Sequence, residues 1–336
     1  MNKKPGDPLV LDMHSHFLIN AMLLGKHFNK RHGHAFFWNP LRNQYDLPKS
    51  MEGGVGGTTF MIYMPWWPSW AGGHMGGVRA AHDCFRKIIT ECKGEVVQCT
   101  SALQIRVVMG EGRFAAPLAV EGAHVIGDSL DNLAELKSMG VRMITMVHFV
   151  STRLSDAVWG TRLHGGLSAF GKSAVRQMQD MGVLVDLAHT SSEAFWDAIG
   201  IATAPMVLSH TGAKGMGGGS RGADDEQLKA IKDVGGVVGV LFNPWYLKKR
   251  TVFCRMDLIV DHIAYIADKI GIEHVAIGTD CEAPNWLPMD FKDVSYFPVL
   301  TEELRKRGFG EDDIRKIYSE NYLRVLEATD EAFRKS

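Results

Sequence analysis

The sequence predicts an α/β fold, a (β/α)8 TIM barrel, on three observations. Short apolar runs rich in β-branched residues alternate with helix-like amphipathic stretches along the chain, the pattern of repeated βα units on a parallel sheet. Eight such runs are present, the strand count of a closed barrel. Five of them lead into histidine, glutamate or aspartate: His14 and His16 after LVLDM, Glu121 after APLAV, His189 after VLVDLA, His210 after PMVLS and Asp280 after HVAIGT. A barrel gathers such side chains over one mouth, whereas a doubly wound open sheet would spread them along a crevice.

The first strand candidate, Leu9–Asp12, leads into His14-Ser15-His16, and residues two apart in extended chain point to the same side. The following stretch, Phe17–Glu52, breaks the alternation. Its His32-Gly33-His34 repeats the HxH spacing without a preceding strand, so it reads as a surface lid or subunit contact. Thr58–Met64 then delivers Pro65-Trp66-Trp67-Pro68-Ser69-Trp70 to the mouth, as indoles that wall a pocket or cover a dimer contact. Helices are expected around Val78–Cys92, Ser129–Met139, Phe170–Met181, Ser192–Ile199, Asp225–Val234 and Met256–Ile270. The remaining strands are Pro117–Glu121, Val141–His148, Val183–His189, Met206–His210, Gly236–Phe242 and His274–Asp280, with closing helices Thr301–Arg307 and Glu311–Glu327. The glycine-rich Lys214–Gly222 lacks the GK[ST] order of a phosphate loop and reads as a mouth loop carrying Arg221.

At 336 residues the chain fits one barrel domain, residues 1–336. With 37 Lys+Arg against 38 Asp+Glu the net charge is −1, so no global field points to nucleic acid or an anionic membrane, and small-molecule chemistry is favoured. Five cysteines without CxxC spacing exclude a disulfide framework and a thiolate zinc site, and a reducing cytoplasm is expected. MNKKPGDPLVLDMHSH has no apolar stretch fit for a signal peptide, no segment is expected to span a bilayer, and the polar tail carries no lipid-anchor signal.

Imidazoles and carboxylates suit Zn²⁺ or similar divalent ions. Two ions sharing one carboxylate and one water make a strong nucleophile at neutral pH. Glu121 is the natural bridge, since a carboxylate has two oxygens, and the small Gly122 behind it is expected to leave room for metals. Taken singly, a histidine at a strand end is more often structural, and Asp280 would serve as a helix cap. The joint occurrence on five strands favours the metal centre.

Several segments together resemble the membrane (renal) dipeptidase family, peptidase family M19 of the metal-dependent amidohydrolase superfamily. Val120-Glu121-Gly122-Ala123 through Leu133 to Gly140-Val141-Arg142 is similar to the signature around the family's bridging glutamate, with Lys137 where the signature carries tyrosine. Further matches are Gly166-Leu167-Ser168 with Gly171-Lys172, Gly182 through Asp186-Leu187-Ala188-His189, Ser209-His210, Ile277-Gly278-Thr279-Asp280, Leu300–Leu304 and Asn321–Leu326. The resemblance implies a binuclear zinc site with His14 and position 16 on one ion, His189 and His210 on the other, and Glu121 bridging. It further implies Asp280 beside the bridging water as proton shuttle, His148 at the scissile carbonyl, Arg221 on the substrate's terminal carboxylate, and a homodimer. From its neighbours alone, Arg221 reads as a solvated charge paired with Asp224 or Asp225, and His148 equally as a core histidine.

Two departures stand out. The family's first motif is His-x-Asp, but here it is His14-Ser15-His16, which raises the site charge by one. After His148, Phe149-Val150-Ser151-Thr152-Arg153 replaces a polar, Asn-containing turn. The leading expectation is a zinc-dependent dipeptidase, tolerant of a D-residue at the C-terminal position. The alternatives are an amidohydrolase acting on another small amide, N-acyl amino acid or lactone, and a non-catalytic metal-binding module. Val141–His148 contains no lysine for a carboxylated bridge, which leaves that task to Glu121.

Overall fold

The computed structural model describes residues 6–33, 43–67, 70–248, 251–283 and 286–335. His34, Pro68 and Ser69, singled out above, lie outside them. Among the described residues ten strands form one parallel sheet: β1 (Val10–Ser15), β2 (Val55–Tyr63), β3 (Val96–Gln98), β4 (Phe114–Ala116), β5 (Leu118–Glu121), β6 (Val141–Thr145), β7 (Leu184–Asp186), β8 (Met206–Thr211), β9 (Val238–Val240) and β10 (Val275–Ile277). Their order is β10-β9-β8-β7-β6-β5-β2-β4-β3, with β1 on the free side of β2. β4 and β5 occupy one barrel position, split at Pro117, which has no N–H for the ladder. Among the described residues β3 pairs with β4 alone.

The curled sheet closes where β1 meets the chain beyond β10. Asp280 N donates to His14 O at 3.0 Å and His16 N to Cys281 O at 2.8 Å. With β4 and β5 counted together, the closed ring has the eight positions of the expected TIM barrel. Asp12 locks this seam. Its Oδ1 accepts from Thr279 N (2.9 Å) and His14 N (3.2 Å), and its Oδ2 accepts from Thr279 Oγ1 (2.6 Å). Burial pushes the Asp12 carboxyl up to about 7 despite these bonds.

Packing follows the two-residue period of the strands. Leu11, Met13, Met61, Ala119, Met143 and Val207 face one another inside the barrel. Val10, Phe60, Ile62, Val120 and Ile144 face outward, under the helices. Strands approach so closely that a Cβ at Gly278 would lie 1.8 Å from Ser209 O.

The expected helices Ser192–Ile199 and Met256–Ile270 are present with those bounds, and the others shift by a few residues. Phe17–Glu52 packs onto the barrel over much of its described length, while His32 and Gly33 stay at the surface. Helix Phe17–Leu24 lies within it and helix Leu47–Gly53 starts in it, and Phe17, Phe28 and Tyr45 are fully buried. FLINAMLL is apolar on nearly every face, so it carries no amphipathic period. The expected Glu311–Glu327 helix is Glu311–Arg315, a π-turn at Lys316–Glu320, and Asn321–Lys335. Asn321 Nδ2 there donates to Ile272 O and Val275 O, which anchors the turn at the base of β10.

Asp12→Ala orphans Thr279 N and Oγ1 at the seam. The expected cost is about 3 kcal/mol, measured on metal-free protein as a lower urea midpoint at unchanged m.

Candidate metal centre

Glu121 ends β5, two residues beyond the inward-facing Ala119, so its carboxylate also enters the barrel mouth. His14 lies in β1, His16 just beyond it, and His210 in β8. His189 and Asp280 follow β7 and β10 in left-handed backbone conformations, φ 68° and 58°. That conformation is uncommon outside glycine, and it turns both side chains back toward the mouth. Gly122 has φ 100°, and a Cβ there would meet the His124 ring at 2.6 Å. Its smallness therefore serves the turn and His124, not space for metals as expected from sequence.

All six predicted ligands meet. Glu121 is 1% exposed, and five imidazole Nε2 atoms surround its carboxylate: His16 and His189 at 3.3 Å, His14 and His210 at 3.5 Å, and His148 at 3.7 Å. Asp280 Oδ1 lies 3.3 Å from His16 Nε2 and 4.0 Å from His14 Nε2. Three overlapping groups have the spacing of a cation site: His14, His16 and Asp280; His14, Glu121 and His210; and Glu121, His148 and His189. His16 is thus part of the cluster, and among the described residues no helix starts at Asp280.

The hydrogen bonds decide the histidine tautomers. Ser209 Oγ donates to Asp186 Oδ2 at 2.6 Å, so toward His14 Nδ1 (3.0 Å) and His210 Nδ1 (2.8 Å) it acts as acceptor. Both rings therefore carry the proton on Nδ1, and both Nε2 lone pairs face Glu121. Asp186 is held in turn by Ser209 N, Ala188 N and Thr145 Oγ1 at 2.8, 3.0 and 2.6 Å. Asp186 and Ser209 were not singled out from sequence as functional, although both sit inside the matched segments.

The cluster has the properties of a divalent-cation site. Neither oxygen of Glu121 has a hydrogen-bond partner among the described residues, which is costly for a buried carboxylate unless a cation balances it. The Nε2 atoms of His14 and His16 lie 3.1 Å apart, and those of His189 and His210 3.0 Å, close enough to require a shared proton or cation. Burial drives His14, His189 and His210 well below the usual imidazole range, which keeps them neutral as ligation requires. Burial lowers His148 to about 2, aided by His16 and Arg221. At His16 burial acts downward, but Glu121 and Asp280 outweigh it and raise the pKa.

Arg221 is buried, and its Nη2 donates to His210 O at 3.0 Å and lies 2.7 Å from His210 Nε2. The alternative of a solvated charge fails: Lys214 takes Asp224 at 3.2 Å, and Tyr265 OH donates to Asp225 at 2.8 Å. Arg221 Nε is buried without an acceptor among the described residues. His262 steadies both neighbouring loops, accepting from Ala213 N (3.0 Å) and donating to Leu247 O (3.1 Å). A cavity of about 270 Å³ covers the cluster, lined also by Ile19, Tyr63, Phe149, Asn243 and Tyr246. Trp66 and Trp67 are exposed outside it, and Trp70 lines a separate apolar cavity.

A parallel barrel with a buried carboxylate ringed by imidazoles at its C-terminal mouth defines a metal-dependent hydrolase. Within that class the chain belongs to the membrane dipeptidase family, peptidase family M19, whose family model matches residues 9–336. Dipeptidase verJ of Clonostachys rogersoniana is 30% identical over 302 residues, 86% of this chain and 77% of that protein. The chain spans 58% and 54% of the length of two further curated dipeptidases that it matches. The solved dipeptidase AC, an M19 metallopeptidase, superposes with a TM-score of 0.87 at 24% identity, over 96% of this chain and 99% of that one. A metallopeptidase from Rhodobacter sphaeroides, solved with a phosphinate mimic of L-Ala-D-Ala, gives 0.84 at 23% identity, over 96% and 99%.

Ser209→Ala removes the shared acceptor that fixes His14 and His210, and metal affinity is expected to fall about 10–100-fold in a chelator competition. A second expectation concerns pH. Burial holds Glu121 near 7, above its ordinary 4.5, so below pH 7 a bound ion must displace its proton and above pH 7 it need not. Apparent affinity should therefore drop up to about tenfold per unit as pH falls below 7, with proton release visible by calorimetry in buffers of different ionisation enthalpy.

Proposed function

We propose that the chain is a dipeptidase using two divalent ions, with zinc as the native metal, to hydrolyse the amide of small free dipeptides, including those with a D-residue at the C-terminal position. The observation that carries this reading is the Glu121 carboxylate, buried without hydrogen bonds and ringed by five imidazole nitrogens. His14 and His16, with Asp280 beside them, would hold one ion, His189 and His210 would hold the other, and Glu121 would serve both. Such ions supply Lewis acidity and a water acidic enough to attack an amide at neutral pH.

The remaining chemistry falls to side chains. Asp280 Oδ1 takes the proton of the attacking water and delivers it to the leaving amine nitrogen. His148, kept neutral by burial, donates to the oxygen of the scissile carbonyl as it gains charge. Arg221, with its unmatched Nε, pairs with the substrate's terminal carboxylate and orients the amide toward His148 and Asp280 in the same cavity. A L-Ala-D-Ala mimic bound to the Rhodobacter sphaeroides metallopeptidase supports the D-residue.

We assign residues 1–336 to one domain. The five free thiols support a cytoplasmic setting, and no helix among the described residues is long and apolar enough to cross a membrane. Exposed Leu23, Leu24, Trp66, Trp67 and Trp70 support a homodimer.

One experiment tests the assignments together. Metal-replete protein should contain about two divalent ions per chain by elemental analysis and hydrolyse Ala-Ala in L,L or L,D form. Asp280→Asn should lower kcat by about 10²–10⁴-fold with most metal retained. Arg221→Met should raise KM for free dipeptides and leave their C-terminal amides unaffected. No bound metal after incubation with zinc, cobalt or manganese would sink the reading.

A further inference from the structure

The turn after His148 carries an aromatic side chain into the site. Phe149 lines the site cavity, its ring centroid 3.8 Å from that of His148 and 5.4 Å from that of His189. It stacks on Trp159 at 5.5 Å and 27°, and Trp159 meets Tyr246 at 5.5 Å. Trp159 Nε1 donates to Ser220 Oγ at 2.7 Å, one residue before Arg221. An aromatic shelf thus runs across the mouth from His148 to the loop of the buried arginine. It is built rather than incidental. Asp156 accepts backbone N–H bonds from Leu163, Gly165 and Gly166 at 2.9, 2.8 and 3.1 Å, which fixes the loop bearing Trp159.

Despite this support, Phe149 and Trp159 remain 42% and 46% exposed, a large apolar surface facing a polar cluster. Among the described lining residues the titratable groups apart from the two tyrosines are Glu121, Asp280, Arg221 and the cluster histidines, all assigned to metals, proton transfer, the scissile carbonyl or the terminal carboxylate. A charged substrate side chain therefore finds no counter-charge of its own there. A dipeptide's terminal carboxylate and its last side chain share one Cα. Pairing the former with Arg221 brings the latter within reach of the shelf, since Phe149 and Arg221 line the same cavity.

We propose that Phe149, backed by Trp159 and Tyr246, determines specificity for the side chain of the C-terminal residue, and that the enzyme takes dipeptides ending in a large apolar or aromatic residue ahead of small or charged ones. This rests on the dipeptidase reading and on Arg221 as carboxylate partner. Ring–ring contact and removal of apolar surface from water both favour such a substrate, and Asn at position 149 would offer neither.

The test measures kcat/KM of metal-replete protein on L-Ala dipeptides ending in Ala, Leu, Phe, Asp or Lys, each in L and D form. Phe should exceed Ala and Asp by at least about tenfold, mainly through KM. Phe149→Asn should shrink the Phe/Ala ratio to about threefold or less, and Phe149→Leu should restore much of the preference for Leu. Inhibition constants of non-hydrolysable phosphinate dipeptides ending in Phe or Ala should show the same ordering. Hydrolysis across the panel with no apolar preference, or a ratio unmoved by Phe149→Asn, overturns this inference and leaves the dipeptidase reading standing. Failure to cleave any member with metal bound overturns both.

Discussion

Glu121 is the constraint around which the rest is arranged. Its carboxylate is removed from water at the end of β5 and has no hydrogen bond among the described residues. In a low-dielectric interior such a group is either neutralised or balanced by positive charge. The surrounding rings aim their nitrogens at it from four other strand ends, β1, β6, β7 and β8. The turn that delivers Glu121 needs glycine next to it for its positive φ, and the tautomers of His14 and His210 are set by one hydroxyl below it.

Asp12 and Asp186 show by contrast what a structural carboxylate looks like in this barrel. Each is wholly buried, and each has its oxygens satisfied by backbone N–H and hydroxyl donors from a neighbouring strand end. Asp12 fastens β1 to the end of β10, and Asp186 fastens β6, β7 and β8. These polar seams are satisfied in full, so they hold register without drawing in ions. The unsatisfied carboxylate and the satisfied pair divide the interior into a reactive floor and the frame that aligns it.

The strand ends were the readable part of the sequence. The six ligand candidates fell at those ends because the two-residue period and the apolar runs survive in one dimension. β3 and helix Phe17–Leu24 did not show: the one is three residues long and the other lacks a polar face. Burial of Arg221 could not be seen in KGMGGGSRG, because it depends on where the loop folds relative to His210. Asp186 and Ser209 were visible only as members of matched segments, since a hydroxyl's role as acceptor depends on what its proton meets across 23 residues of chain. Trp159 joined the mouth only through a long loop whose order comes from Asp156.

The seam between β1 and the end of β10 has a consequence for how the protein comes into being. Asp12 and Thr279 stand 267 positions apart, and synthesis delivers the first of them long before the second. A nascent chain that has exposed His14, Glu121, His189 and His210 still lacks both the strand that closes the ring and Asp280. The Asp280 carboxylate and the seam that closes the ring thus arrive together, with the last strand.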